Sequence, residues 1–538
     1  MNKGFLSFIL HAHLPYVRHP EHDSFFEEIW LFEAMTESYI PLINMLDHLA
    51  EDKAPFHLTL SLSPTLISML TDDLLQSRYQ QHLIKQIKLA EKEINRTRLQ
   101  PEVQKLSRLY RRFFIRTQDT YKKYQNNLIL AFKKHHQLGH LELITTAATH
   151  GFLPLLNINQ SSIKNQIEIG LNVFESNFGF TPLGFWLPEC GYYPNLESSL
   201  ADAGIKYFFT DTHGITDASS AVSNSVYAPI NCGNGVMAFA RDPETSQQVW
   251  SADSGYPGNP TYREYYSDIG FELNQEYLAP YLVDGNIRMN TGIKYHRITG
   301  KVAEKAFYNP KKAQLAVELD AQDFISKCQK HIDQLSLTMD IPPIIIAPYD
   351  AELFGHWWFE GPSWLESVFR LASKENNNFK MVSCSDYLKL EINHQVATPA
   401  ASTWGHDGDS SYWINDENDW IYPFIHGAAD EMEQLAIDFE KVTVSSLQKR
   451  ALNQAARSLL LAQASDWPFI MKSGTTTEYA KKSITDHLAR FNYLHESIRK
   501  NKIDEHYLLA LETMDNIFPD IDYRCYTRKR APLISYPK

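Results

Sequence analysis

Two carboxylate residues, Glu189 and Asp350, stand directly after short apolar segments and among aromatic residues. Glu189 lies in GFWLPECGYYP, and Asp350 lies in PIIIAPYDAELFGHWWFEGPSWL. Glycoside cleavage requires two such groups, because one attacks or stabilises the anomeric carbon while the other protonates the leaving oxygen. A buried salt bridge is the structural alternative for either carboxylate.

Histidines in HAHLPY, THG and DTHG leave a second chemistry open, since imidazole and carboxylate side chains bind divalent metals. Sugar deacetylases with related distorted barrels use such a set, typically with an Asp-Asp pair followed by HxxxH. The only adjacent aspartates here are Asp72 and Asp73, in a helix-favouring stretch, and no HxxxH is positioned directly after them. We therefore predict no metal site.

Six short apolar segments are typical of buried parallel strands, and each ends in polar side chains able to do chemistry. They lie near residues 5, 56, 141, 184, 206 and 344. Helical patterns, for example from Phe26 and from Ser161, separate them. This alternation predicts an α/β fold with a parallel sheet, and the polar strand ends favour a barrel.

Three stretches depart from the alternation. Residues 65–137 are charged and helix-favouring, which predicts an inserted helical subdomain. The alternation stops near residue 395, so we predict a catalytic domain over 1–395 and a helical domain over 396–538. Residues 211–235 are rich in Ser, Asn, Asp and Gly, which predicts a long loop acting as a lid over the site.

The composition limits the class of ligand and the compartment. With 51 basic and 64 acidic residues the formal charge is −13, which argues against a nucleic-acid partner and suits a neutral polymer. The sequence contains no run of 18 apolar residues, so we predict no membrane helix. Five scattered cysteines without a CxxC pair, and an N-terminus without a cleavage site, favour free thiols in the cytoplasm. We expect a monomer.

Five segments resemble, in order and spacing, the five sequence regions of glycoside hydrolase family 57. They are HAHLPY, LELITTAATHGFLPLL, GFWLPECGYYP, APYDAELFGHWWFEGPSWL and the TWG segment at Thr403. ARDPETSQQVWSADSGYPG and LLAQASDWPFIM further resemble its branching-enzyme subgroup. The resemblance covers nearly the whole chain. It implies a distorted (β/α)7 barrel with an inserted helical subdomain and a C-terminal all-helical domain.

The resemblance also implies an activity. The expected reaction cleaves an α-1,4-glucan by a retaining double displacement and transfers the chain to a 6-hydroxyl, forming an α-1,6 branch. Glu189 would be the nucleophile and Asp350 the general acid/base, with their carboxyl groups roughly 5 to 5.5 Å apart. Neither a cofactor nor a metal is implied.

Matching family positions residue by residue implies a set of substrate-binding side chains. They are Arg241, Gly258, Trp404, Asp466, His13, Trp30, His150, Trp358 and Thr475. Two departures stand out. Thr475 occupies a position where related branching enzymes often have Gln. Tyr227 is the only Tyr between Tyr207 and Tyr256, so we predict it as the lid tyrosine that protects the intermediate from water.

Two other functions remain open. An amylolytic hydrolase or 4-α-glucanotransferase would use the same site, and the departures at Thr475 and the lid favour it. A glycan-binding protein without turnover is a third hypothesis, although both carboxylates are present.

Overall fold

A computed structural model describes residues 3–300, 304–374, 377–390 and 392–527. Nine strands form one sheet in this part of the chain. They are β1 (Gly4–Ala12), β2 (Leu58–Leu62), β3 (Leu141–Thr146), β4 (Gly184–Trp186), β5 (Tyr207–Thr210), β6 (Ile230–Asn231), β7 (Met237–Ala240), β8 (Ile344–Asp350) and β9 (Phe379–Met381). The six predicted strands are confirmed, and β6, β7 and β9 are additional strands of two to four residues.

Seven strands run parallel in the spatial order β7-β5-β4-β3-β2-β1-β8. The sheet curls, and the amide of Asp242 donates to the carbonyl of Ile346 over 2.9 Å, which connects the chain after β7 to β8. The predicted distorted (β/α)7 barrel is thus confirmed. Parallel strands place their carboxyl ends at one edge, so the residues that follow them converge.

Sixteen α-helices surround or interrupt the barrel in the described residues up to 390. They are α1 (Glu28–Ala34), α2 (Ile40–Glu51), α3 (Pro64–Leu70), α4 (Asp73–Arg96), α5 (Pro101–Lys123), α6 (Leu128–Gln137), α7 (Leu153–Leu156), α8 (Gln160–Phe178), α9 (Leu196–Asp202), α10 (Thr212–Thr216), α11 (Pro243–Trp250), α12 (Ile269–Glu272), α13 (Gln275–Leu278), α14 (Pro310–Leu335), α15 (Gly361–Ala372) and α16 (Cys384–Leu388). A π-helical segment, Met35–Tyr39, joins α1 to α2.

The predicted helical insertion appears as α3 to α6. Its last two helices are tied to α2 through the buried carboxylate of Asp47. That carboxylate accepts hydrogen bonds from Tyr124 (2.6 Å), Lys134 (2.7 Å) and Lys123 (2.9 Å), and it lies 3.1 Å from Nε2 of His135. Charged hydrogen bonds of this kind compensate for the burial of the carboxylate.

Between residues 422 and 527 the structure describes five α-helices: α17 (Tyr422–Phe439), α18 (Ser446–Ala462), α19 (Asp466–Ser473), α20 (Thr477–Arg499) and α21 (Glu505–Met514). Residues 396–421, beyond the boundary that the alternation suggests, still pack on the barrel. The amide of Tyr192 donates to the carbonyl of Ser402 over 2.9 Å. An extended segment without periodicity gives no sequence signal of this attachment.

The stretch 211–235 contains less irregular loop than predicted. It contains α10, a 3-10 turn at Ser225–Tyr227 and β6, which pairs antiparallel with β7.

All five cysteines are unpaired. In the described part of the chain no helix is long and apolar enough to cross a membrane.

Candidate active site

A cavity of about 740 Å³ opens at the carboxyl ends of the strands. Glu189 and Asp350 both line it. Seven of the predicted substrate-binding residues line it as well: Arg241, Trp404, Asp466, His13, Trp30, His150 and Thr475. The chain therefore brings together side chains from β1, β3, β4, β7, β8 and the C-terminal helices. Apolar walls with a few convergent polar groups are typical of a ligand site.

Glu189 follows β4 in a strained 3-10 turn. Its φ is +59°, and that of Cys190 is +50°, values that non-glycine residues rarely adopt. The backbone is held there because the amide of Trp404 donates to the carbonyl of Glu189 over 3.1 Å. The turn ends the strand abruptly and presents the carboxylate to the cavity.

Two donors hold the Glu189 carboxylate. The indole nitrogen of Trp404 lies 2.8 Å from Oε2, and the hydroxyl of Ser465 lies 3.3 Å from Oε1. Burial raises the pKa of Glu189 to about 7, while the hydrogen bonds from Trp404 and Ser465 oppose that rise. The group can therefore be ionised near neutral pH, as a nucleophile must be.

Asp350 is the last residue of β8 and pairs in register with His11 of β1. Burial raises its pKa well above the usual range, the charges of Glu352 and Glu189 raise it further, and Arg241 opposes them. Two neighbouring carboxyl groups whose environments favour different protonation states can divide the roles of acid and nucleophile. Asp350 is suited to hold the proton.

Glu352 is a third carboxyl group in the cavity, two residues after Asp350. Tyr39 donates to its Oε1, and the amide of His13 lies 3.3 Å from the same atom. Burial raises the pKa of Glu352 to about 7. When ionised, Glu352 favours the protonated form of Asp350. This role was missed, although the PYDAE segment brings the two carboxylates close in sequence.

Arg241 and Asp466 each form an ion pair or hydrogen bond with a residue that is distant in sequence. Arg241 forms an ion pair with Asp211, not with Asp242 or Glu244. Asp466 opens α19, but its carboxylate lies 3.1 Å from Nε2 of His13. Burial lowers the pKa of His13, but the carboxylate of Asp466, together with those of Glu189 and Glu352, raises it overall. The pair joins β1 to the C-terminal helices.

Three predicted site residues lie elsewhere among the residues that the structure describes. Trp358 is buried in the core against Tyr262 and Trp364, at centroid distances of 5.8 and 5.3 Å. Its neighbour Trp357 is the tryptophan that lines the cavity, 51% exposed and stacked on Tyr265. Trp358 lies outside the cavity lining because adjacent residues face opposite ways where the chain turns, and a substrate contact by its ring stays a prediction.

Gly258 does not line the cavity either. It sits in a 3-10 turn where a Cβ atom would lie 2.0 Å from the carbonyl oxygen of Ala252, so a glycine is required for close backbone approach. This close approach gives Gly258 a structural role, and its contact with substrate stays a prediction.

Tyr227 is not placed as a lid over the cavity. Its ring packs edge-on against His331, with centroids 4.9 Å apart, and its hydroxyl interacts with Asp242. Trp250, in the segment after β7, lies at the cavity wall instead, with its ring centroid 6.0 Å from that of Trp404. The sequence pattern, a single Tyr in a polar stretch, does not show which of Tyr227 and Trp250 lies at the cavity.

Comparisons with known proteins show the family of the chain. The model of "Glycosyl hydrolase family 57" matches residues 7–401, and that of "1,4-alpha-glucan branching enzyme, C-terminal" matches residues 424–526. The 1,4-alpha-glucan branching enzyme of Thermococcus kodakarensis is 33% identical, over 98% of this chain and 79% of its own.

Solved structures extend the likeness to the whole fold. The alpha-amylase AmyC of Thermotoga maritima is 42% identical with a TM-score of 0.92, covering 98% of this chain and 100% of its own. The GH57-type branching enzyme of Pyrococcus horikoshii is 34% identical with a TM-score of 0.88, covering 98% of both chains. With one family model spanning most of its length and such relatives along all of it, the chain belongs to glycosyl hydrolase family 57.

Proposed function

We propose that this protein is a 1,4-α-glucan branching enzyme. The observation that carries the proposal is the cavity that both carboxyl groups line at the barrel's carboxyl edge. Two hydrogen-bond donors hold Glu189, and burial raises the pKa of Asp350 well above its usual range. The match of the C-terminal helices to the branching-enzyme C-terminal model supports transfer rather than hydrolysis. Relatives named as branching enzymes match over nearly the whole chain.

The mechanism follows from the two carboxyl groups. Asp350 donates its proton to the glycosidic oxygen as Glu189 attacks the anomeric carbon, which releases one glucan segment and leaves the other as an ester on Glu189. Asp350 then removes the proton from an incoming 6-hydroxyl, and that oxygen displaces Glu189. Two inversions at one carbon retain the α configuration.

The remaining cavity residues would bind the glucan. Four tryptophans that line the cavity keep part of the ring exposed, and their flat apolar faces suit the faces of glucose rings: Trp30, Trp250, Trp357 and Trp404. Arg241, Asp466 and His13 supply polar contacts between the rings. His150 lines the same wall, but both of its ring nitrogens bond protein groups, His11 and Ser465. Thr475, exposed at the rim, reaches less far than the Gln found in many relatives.

An α-glucan hydrolase is the second candidate. The 42% identical relative is named an alpha-amylase, and Tyr227 lies outside the cavity lining, so this residue does not shield the ester from water. Water would then compete with the 6-hydroxyl for the same intermediate. Both candidates share Glu189 and Asp350.

Proton NMR of amylose incubated with the protein separates them. New α-1,6 anomeric signal well above the signal of reducing ends supports branching, whereas reducing ends alone assign a hydrolase. Glu189→Gln should abolish both signals. Glu244→Gln, an exposed change outside the cavity lining, is the matched control and should leave both unchanged. An inactive parent protein would support the glycan-binding hypothesis.

We also propose a cytoplasmic monomer. Five unpaired cysteines support a reducing compartment. Size-exclusion chromatography with light scattering checks the mass, for which one chain corresponds to 62.0 kDa.

A further inference from the structure

A chain of five side chains crosses the bottom of the cavity and ends at Glu189. Ser61 Oγ lies 3.0 Å from Nδ1 of His11, and Nε2 of His11 lies 3.0 Å from Nε2 of His150. Nδ1 of His150 lies 2.8 Å from Oγ of Ser465, which lies 3.3 Å from Oε1 of Glu189. Ser61, His11, His150 and Ser465 are all at least 98% buried, so water does not compete for these bonds.

The charge of Glu189 decides the direction of every bond. A carboxylate only accepts, so the single proton of Ser465 points to Glu189, and Ser465 in turn accepts from Nδ1–H of His150. Burial lowers the pKa of both His11 and His150 well below the usual value, which makes them neutral with one N–H each. Nε2 of His150 then accepts from Nε2–H of His11, and Nδ1 of His11 accepts from Ser61.

We infer that the hydroxyl of Ser465, supplied by the C-terminal helices, positions the Glu189 carboxylate for attack as the last donor of a hydrogen-bond chain that begins at Ser61 on β2. The inference rests on the proposed role of Glu189 as nucleophile. Ser465 is a positioning residue, since it acts on the substrate only through Glu189. If every hydrogen bond ran the other way, Ser465 would point a lone pair at the carboxylate, which is repulsive. Donation towards Glu189 therefore stabilises its ionised form, and the ionised form in turn favours donation in this direction.

The backbone places Ser465 for this task. Its amide donates to the carbonyl of His150 over 3.1 Å, and Ala464 forms an antiparallel bridge with Gly151. The side chain of Gln463 donates to Ser162 of α8 over 2.9 Å. Helix α18 is thereby docked on the barrel at the point where α19 begins. The C-terminal helices thus complete the catalytic site.

The pH dependence of glucan consumption tests the chain. Other ionisable groups act on Glu189, namely Asp466, His13, His150 and Asp350, and all of them remain in Ser465→Ala. Loss of the donor raises the pKa of Glu189, so the acid limb of kcat/KM should move up by about one pH unit. Ser465→Thr, which keeps the hydroxyl, should leave the limb in place.

Ser61→Ala should move the limb in the same direction by a smaller amount, although Ser61 does not touch Glu189. Ser458→Ala is the control, because Ser458 is equally buried in α18 but bonds only the carbonyl of Gln454. A fall in kcat for Ser465→Ala with an unmoved acid limb would overturn the inference. So would a Ser61→Ala profile identical to that of the control.

A second measurement does not depend on turnover. Long-range proton–nitrogen spectra of the full chain labelled with ¹⁵N-histidine at pH 8.5 report each tautomer, with assignment by single histidine variants. We expect a protonated Nδ1 in His150 and a protonated Nε2 in His11. The opposite tautomers would overturn the chain. If the protein consumes no glucan, the proposed function fails, while these spectra still decide the direction of the chain.

Discussion

The indole nitrogen of Trp404 donates to Oε2 of Glu189 over 2.8 Å, while the backbone amide of Trp404 donates to the carbonyl of Glu189 over 3.1 Å. One residue thus holds both the strained backbone and the carboxylate of the proposed nucleophile. Because 215 positions separate the two residues, folding of the segment after residue 396 onto the barrel is a condition for activity.

Trp404→Phe should keep the ring and lose the donor. We expect kcat/KM to fall about tenfold and its acid limb to move to higher pH, since a hydrogen bond to the charged form of Glu189 is lost. The measurement is initial rate against pH. Trp250→Phe, a cavity residue that makes no hydrogen bond to Glu189, should leave the limb in place. An equal shift in both variants would assign the effect to ring packing.

The acid limb of kcat/KM should lie near pH 7, the pKa to which burial raises Glu189. Below that pH, Glu189 takes up a proton and cannot attack, so activity falls as the pH falls; kcat/KM reports this group in the free protein. Glu352 has a similar pKa, so Glu352→Gln is the discriminating variant. It should retain the acid limb and lower the basic limb, because the charge that raises the pKa of Asp350 is gone. An acid limb near pH 4.5 would contradict the burial of Glu189.

Trp357 and Trp358 should separate binding from stability. Trp357→Ala removes an exposed ring from the cavity wall, so KM for amylose should rise while Tm changes little. Trp358→Ala empties a core position, which costs about 3–5 kcal/mol of the free energy of unfolding. Thermal unfolding and amylose kinetics on both variants check this. A raised KM at unchanged Tm for Trp358→Ala would instead support the substrate contact that the sequence predicts.

Asp47→Asn should loosen the helical insertion. The cationic and hydroxyl donors around Asp47 hold its pKa well below the usual range against the effect of burial. Its stabilisation is therefore present above the unfolded pKa of about 3.9 and is lost only as the pH falls through the lower folded value. We expect a loss of about 2–3 kcal/mol at pH 7, measured by urea unfolding. Asp52→Asn, at an exposed pair with Arg370, should cost under about 1 kcal/mol.

Tyr227→Phe should leave the ratio of transferred chains to released reducing ends unchanged, because the ring packs against His331 away from the cavity. The proton NMR comparison on amylose provides the ratio. A rise in hydrolysis in this variant would show that the segment 211–235 moves over the site during turnover.

The barrel, the helical insertion and the two carboxyl groups follow from local patterns in the sequence. Each parallel strand is a continuous apolar segment, and the residue that follows it must lie at the same edge as its counterparts. Glu189 and Asp350 were therefore predictable from local pattern, and so were most residues in motifs that end strands, such as His13 and His150.

Three positions depend on how distant segments pack: which of two neighbouring tryptophans lines the cavity, where the ring of Tyr227 lies, and how closely the backbone approaches Gly258. These outcomes depend on the turn of a short irregular segment, which has no period that a sequence displays. Ser465 shows the same limit more strongly: it meets Glu189 across 276 positions, through the docking of α18 on the barrel. A contact between distant segments is determined by how their surfaces pack, and neither segment encodes its partner locally.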